Sequence, residues 1–223
     1  IRYKTFDVEQ YGDILESAMQ RGQSIYSGAY LMASGKHAFG HSRKHRNHLR
    51  LLEIMMDEDV PARVSSSDSM EEVFYLLRSY PTIGDFLAYQ YATDLNYSTL
   101  TNFSEMEFVV PGPGAESGIR KCFTDLGDYS ESDIIRWMAD HQEEAFERFD
   151  VDFKPLWGRP LQLIDCQNLF CEVDKYARRK HPDVKGTKGR TQIKQTYKPS
   201  LDPISYWYPP KWGINDLIKL EEV

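Results

Sequence analysis

Two apolar helical patterns meet across a tight corner in "LLRSYPTIGDFLAYQYATDLNYS", Leu76 to Ser98, where Pro81, Thr82, Ile83, Gly84 and Asp85 form the connection. Pro81 fixes its own φ and removes a backbone donor. Gly84 is expected to supply a positive φ and a close backbone approach at the start of the second helix. Such a corner obliges two helices to turn against each other within a few residues. Exposed N–H groups at the second helix's N-terminus then favour an anion such as a phosphate. The plain alternative is an ordinary tight αα-turn, since Pro-x-x-Gly corners are common.

The remaining periodicity is also helical. "DVEQYGDILESAMQR" spaces Tyr11, Ile14, Leu15, Ala18 and Met19 for a helix from about Val8 to Arg21, with Asp7 as N-cap. "SIYSGAYLMAS" reads as a short helix, and "RNHLRLLEIMMDE" as another. "DSMEEVFYLLRSY" opens in capping-box style with Asp68 or Ser69 and Glu72. "SESDIIRWMADHQEEAFERF" reads as one amphipathic helix capped by Ser130 or Ser132, and "LQLIDCQNLFCEVDKYARR" as the last long one. The strand signal is limited to "EFVV" before "PGPG", so an all-α fold is expected. Its helical domain spans residues 1–180, and a basic, aromatic arm over 181–223 ends in "ISYWYPPKW" and packs on the same domain.

At 223 residues and 41% apolar content the chain can bury a substantial core. No run of 18 or more apolar residues occurs and no secretory pattern opens the chain, so the expected setting is intracellular, cytoplasmic or nuclear, without a membrane. Cys122, Cys166 and Cys171 lack CxxC spacing, which argues against a disulfide framework or zinc knuckle and for reduced, buried thiols.

A formal charge of −7 hides clustered cations. "SGKHAFGHSRKHRNHLR" holds Arg43, Lys44 and Arg46 among four histidines. "KYARRKHPDVKGTKGRTQIKQTYK" holds Arg178, Arg179, Lys180, Lys188 and Arg190 within a strongly basic run. Both suit a phosphate-facing surface on an acidic body, or simply solvated loops. His37, His41, His45 and His48 include metal-compatible spacings, but the interleaved cations disfavour a metal there, and no cofactor is expected.

A helix, an aliphatic-Pro-x-Ile-Gly turn and a second helix resemble the helix-hairpin-helix of DNA glycosylases. A closer likeness covers most of the chain. "YPTIGDFLAYQYATDLNYS", "EFVVPGPGAESGIRKCF" and "LQLIDCQNLFCEVDKYARR" resemble, in that order, the helical domain of 5-hydroxymethyluracil (5-hmdU) DNA kinases. That domain is similar to the α-glutamyl and α-putrescinyl thymine pyrophosphorylases. The resemblance implies a glycosylase-like all-α domain that binds DNA through Thr82, Ile83 and Gly84 and recognises a modified thymine or uracil.

The departures narrow the chemistry. Asp85 and Phe86 stand where Schiff-base glycosylases carry lysine, and Val110 to Pro113 offer no carboxylate where such enzymes usually place an aspartate. "GTKGRTQ" is not a phosphate-binding GxxxxGK[ST] loop, so no P-loop kinase is expected on this chain.

Two sets of polar residues could do chemistry. Gln90 and Asp94 share a helix face at i and i+4, followed by Asn96 and Tyr97. Asp165, Asn168, Glu172 and Lys175 form a polar stripe along an otherwise apolar helix, with Leu163, Ile164, Leu169, Phe170 and Val173 on the buried faces. In the functional reading Asp94 and Asp165 flank a flipped base as general base or stabiliser of a cationic sugar. Gln90, Asn96, Tyr97, Asn168, Glu172 and Lys175 then line it, and Gly112 and Gly114 admit the nucleotide closely. In the other reading Asp165 and Asp94 are caps and Glu172 with Lys175 is a surface pair. The expected function is a DNA-binding enzyme acting on a modified base as a glycosylase-like hydrolase or a transferase. The alternative is a non-catalytic reader that positions DNA for a separate kinase or transferase.

Overall fold

The computed structural model describes residues 3–26, 32–187 and 203–218, together with Ile193 and Pro199. Among them every regular element is helical, and the one β-feature is an isolated antiparallel bridge between Leu156 and Arg159. "EFVV" forms no strand. No helix among the described residues is long and apolar enough to cross a membrane. The chain divides into two units, Ile1–Ala92 and Thr93–Val223.

The first unit begins with α1 (Val8–Gln20), capped as expected by Asp7, whose carboxylate accepts from the Gln10 N–H at 2.8 Å. The described residues of "SIYSGAYLMAS" carry no helix, and residues 27–31 lie outside the described set. After α2 (Lys36–Phe39), α3 (Lys44–Asp57) packs on α1. There Arg46 lies across Gly12, where a Cβ would sit 2.7 Å from its guanidinium. Buried Asn47 ties down the histidine-rich loop: its amide donates to the Ser34 and His41 carbonyls, and its oxygen accepts from the His41 N–H. α4 (Val60–Ser65) and α5 (Met70–Arg78) follow. Ser69 caps α5 by accepting from the Glu72 N–H, and the Glu72 carboxylate accepts from the Asp68 N–H. Val64, Val73 and Leu77 are buried in this unit's core.

Helix α6 (Asp85–Asn96) starts in the first unit and ends in the second. The second unit is organised by α7 (Pro113–Cys122), α8 (Glu131–Asp140) and α10 (Leu163–Lys180), which pack on one another. α7 arises inside the stretch that reads as punctuation. Gly112 is its N-cap and Pro113 its first residue, where the missing proline N–H costs nothing. The long pattern from Ser130 breaks at His141 into α8 and α9 (Gln142–Arg148). Ser130 and Asp133 complete the capping box of α8.

α7 meets α10 at unusually short range. A Cβ on Gly118 would lie 2.0 Å from the Phe170 carbonyl oxygen, and one on Gly114 would lie 2.5 Å from Cys171 Sγ. Ile119, Ile135 and Leu163 are fully enclosed between these helices, each contributing on the order of 2 kcal/mol. The described end of the arm is irregular over residues 203–209, then forms a 3-10 turn (Pro210–Trp212) and α11 (Asn215–Ile218).

Candidate nucleic-acid interface

The corner keeps its expected outline with a changed backbone. The Tyr80 carbonyl accepts from the Ile83 N–H at 3.3 Å. Within that turn the residue with positive φ is Thr82, at 74°, and not Gly84. Pro at the second position and positive φ at the third are the marks of a type II turn, whose third position normally takes glycine. A β-branched residue there is strained. Thr82 Oγ1 is enclosed without a hydrogen-bond partner, and Ile83 is buried beneath the turn. Gly84 is exposed, and a Cβ there would meet nothing within 4 Å. Its carbonyl accepts from the Ala88 N–H at 2.9 Å as the N-cap of α6, and the open space lies beside the backbone that starts that helix. Asp85, in the first turn of α6, is paired with Arg78.

In the second unit a set of loop and arm residues surrounds Tyr97. The chain from Leu156 to Arg159 makes a two-residue turn with Trp157 at φ 48° and Gly158 at φ 84°. These are type I′ values and set a bulky aromatic in the left-handed region. The turn aims Arg159 at three partners: Glu105 at 2.6 Å, Asp165 at 3.1 Å and the face of Trp212 at 3.9 Å. Trp212 donates its indole N–H to Glu105 at 2.8 Å and meets Tyr97 edge-on at 5.3 Å. Lys211 donates to the Asn96 carbonyl at the end of α6.

Tyr97 senses both expected carboxylates. Burial first, then the charges of Glu105 and Asp165, push its phenol far up, with Asp94 adding and Arg159 opposing. Asp94 is exposed, yet desolvation by its surroundings still lifts its carboxyl above the ordinary aspartate value. Asp165 is the third residue of α10 and accepts from the Gln162 N–H at 2.8 Å as well as from Arg159. One carboxylate thus both caps α10 and holds Arg159.

The other expected residues separate. Asn96 is buried and holds the loop after α6, accepting from the Phe103 N–H and the Thr101 hydroxyl and donating to the Phe103 carbonyl. Gln90 is buried with its amide nitrogen unpartnered. Gly112 donates its N–H to Gln167, and Gly114 is filled by Cys171, so helix packing already accounts for both. Asn168 and Glu172 are exposed, and Lys175 binds Glu172 at 2.5 Å. Only Asp165 of that stripe reaches the Tyr97 surroundings. Leu169, expected on a buried face, is exposed. Cys122 is likewise exposed, whereas Cys166 is buried, its thiol pushed up to about 11 chiefly by burial.

The basic residues differ in their freedom. Arg46 is bound to Glu9 at 2.8 Å, Asp13 at 2.8 Å and Glu16 at 3.1 Å. Three carboxylates around one guanidinium leave little field for a phosphate. Lys44 lies over the Tyr26 ring at 4.7 Å, and His48 bonds the Tyr26 hydroxyl and the Ala33 carbonyl. Arg43, Arg179 and Lys180 are exposed. Arg178 turns inward to buried Asp174, which also holds Lys121 at 2.9 Å and Ser117 at 2.7 Å. Lys188 and Arg190 lie outside the described residues.

Glu105, Arg159 and Trp157 escape sequence reasoning because they sit in irregular loops without periodicity. The aromatic run "ISYWYPPKW" was the one visible signal for Trp212.

An all-helical chain with a Pro-x-x-Gly corner between two helices defines a broad class, and comparison with known proteins narrows it. Residues 1–186 match the family described as the helical domain of 5-hmdU DNA kinase, and the chain belongs to that family. It is 27% identical over 184 residues to a 5-hmdU DNA kinase of Bacillus phage SP10, which covers 76% of this chain and 29% of that protein. The chain therefore spans less than a third of the length of that relative. No solved structure matches.

Proposed function

We propose that the chain is a DNA-engaging helical domain that recognises a 5-hydroxymethyluracil-type base. The observation that carries this reading is the match of residues 1–186 to the 5-hmdU DNA kinase helical domain. The corner adds physical support. Gly84 leaves open space beside the start of α6, and N–H groups at a helix start attract phosphate. Such contacts hold a sugar-phosphate strand without reading sequence. Exposed cations occur in each unit, Arg43 in the first and Arg179 and Lys180 in the second, and each suits a phosphate.

A second reading, in which the domain also acts on the base, is favoured by one arrangement. Arg159 binds both Glu105 and Asp165, and the charges of these carboxylates and of Asp94 raise the Tyr97 phenol, which supports a role for carboxylates beside a base or a cationic sugar. In that case Asp94, whose carboxyl is raised by desolvation, is the group that takes a proton, and Asp165, held by Arg159 at 3.1 Å, is the stabiliser.

Duplex binding measured across a salt series tests the first reading. Several phosphate contacts release counterions, so affinity should fall steeply with salt and should favour 5-hydroxymethyluracil over thymine. A shallow slope with no preference for the modified base contradicts it. Nucleoside mass analysis after incubation with modified DNA tests the second: an abasic product or an altered nucleoside supports catalysis, and unchanged DNA leaves a reader.

A further inference from the structure

The arm from residue 203 onward lies beyond the matched residues 1–186, yet its aromatic side chains form an ordered series. The Arg159 guanidinium lies on Trp212 at 3.9 Å. Trp212 and Tyr208 are stacked with centroids 6.0 Å apart and planes 27° apart, and Tyr208 and Tyr206 at 6.5 Å and 13°. The inner end of this series is anchored by the Trp212 to Glu105 hydrogen bond and by the hydrogen bonds between the Tyr208 backbone and the Asn215 side chain. The outer end is open. Tyr206 is 50% exposed, and the neighbouring Trp207 is 74% exposed.

Aromatic rings held at that exposure give up apolar area to water that a folded chain ordinarily covers. An anchored stack ending on an open ring face suits one more flat ring. The segment leading to the arm favours an anionic source for that ring: residues 175–198 carry nine Lys and Arg, Lys175 to Lys198, against the single acid Asp183. Lys175 and Arg178 are already paired, and Arg179, Lys180 and Lys185 are exposed. A flat ring joined to a polyanion is an unpaired nucleobase.

We infer that Tyr206, at the open end of the stack, and Trp207, beside it but outside the stack, offer open ring faces on which unpaired bases of a single DNA strand can stack. The inference rests on the reading that this chain handles DNA, and it adds a second contact that needs no sequence. Stacking of a base on an aromatic side chain is worth about 1–3 kcal/mol and tolerates any base.

The test uses the full chain and fluorescence anisotropy with a labelled ten-residue oligothymidylate, beside an abasic strand of the same phosphate count. Trp207→Ala and Tyr206→Ala should each weaken oligothymidylate binding by about tenfold, within the range that stacking supplies, and leave the abasic strand unaffected. Both side chains are exposed, so neither change threatens folding. Unchanged affinity in both variants overturns the inference, as does an equal loss on both strands, absent binding of oligothymidylate by the wild type, or a Trp207-dependent dimer in place of strand binding. Duplex affinity in a Gly84→Ala variant reports separately on the corner. Loss there with no effect at Trp207 defeats the platform alone, and the reverse defeats the corner alone.

Discussion

Gly118 faces Phe170 so closely that a Cβ on the glycine would fall 2.0 Å from the Phe170 carbonyl oxygen. The obstructing atom is backbone, so it cannot swing aside. Gly→Ala in a helix interior ordinarily stabilises by up to ~1 kcal/mol. Here the sign reverses, because α7 and α10 must separate, and such overpacking costs about 1–3 kcal/mol or more. Gly118→Ala should lower the thermal midpoint by several degrees in calorimetry. Gly84→Ala, whose Cβ meets nothing, should lower it much less, since alanine at an N-cap costs roughly 1 kcal/mol or under.

Asp174 is 2% exposed and holds Ser117, Lys121 and Arg178. Burial alone would raise its carboxyl, but the hydrogen bonds from Arg178, Lys121 and Ser117 outweigh that and hold it below the ordinary aspartate value. A depressed carboxyl stabilises the fold above its unfolded value, near 3.9, and that contribution fades as pH falls through the lower folded value. Asp174→Asn leaves two inward-facing cations short of a counter-charge and should cost about 3–5 kcal/mol at neutral pH. Urea denaturation at pH 7 and near pH 3 checks this: the gap between wild type and variant should narrow in acid.

Thr82 holds a left-handed φ that costs a residue with a Cβ about 1–2 kcal/mol. Thr82→Gly removes that strain and an unpartnered hydroxyl, while adding about 0.5–1 kcal/mol of chain entropy. The net expectation is a small stabilisation, up to about 1 kcal/mol, read from a chemical denaturation midpoint.

If the Tyr97 surroundings act on a base, Asp94→Asn and Asp165→Asn should each abolish the altered nucleoside while duplex binding persists. Desolvation by its surroundings raises the Asp94 carboxyl above its ordinary value. Product formation that needs its ionised form should therefore fall on acidification with a midpoint above 3.9. Rates measured across pH, in wild type and Asp94→Asn, check both statements.

Local rules made much of the fold legible. Asp7, Ser69 and Ser130 cap the helices they were expected to cap, because side-chain caps depend on a few adjacent residues. α7 was missed where "PGPG" reads as a breaker, although Gly112 followed by Pro113 is also how a helix begins. The site was half legible. Helix spacing singles out Asp94 and Asp165, and the charges of both raise the Tyr97 phenol. Glu105 and Arg159 are brought there by a turn with two left-handed residues, which no periodicity announces. Arg46 reads as a surface cation in sequence because its partners Glu9, Asp13 and Glu16 lie a whole helix away.

DNA engagement, as proposed, places a strand against the backbone at the start of α6. The affinity of Gly84→Ala for a 5-hydroxymethyluracil duplex, measured beside its thermal midpoint, addresses that claim most directly. On this account affinity should fall about tenfold or more while the midpoint drops no further than an N-cap change allows, because the added methyl occupies space the fold leaves open. Wild-type affinity in that variant would contradict it.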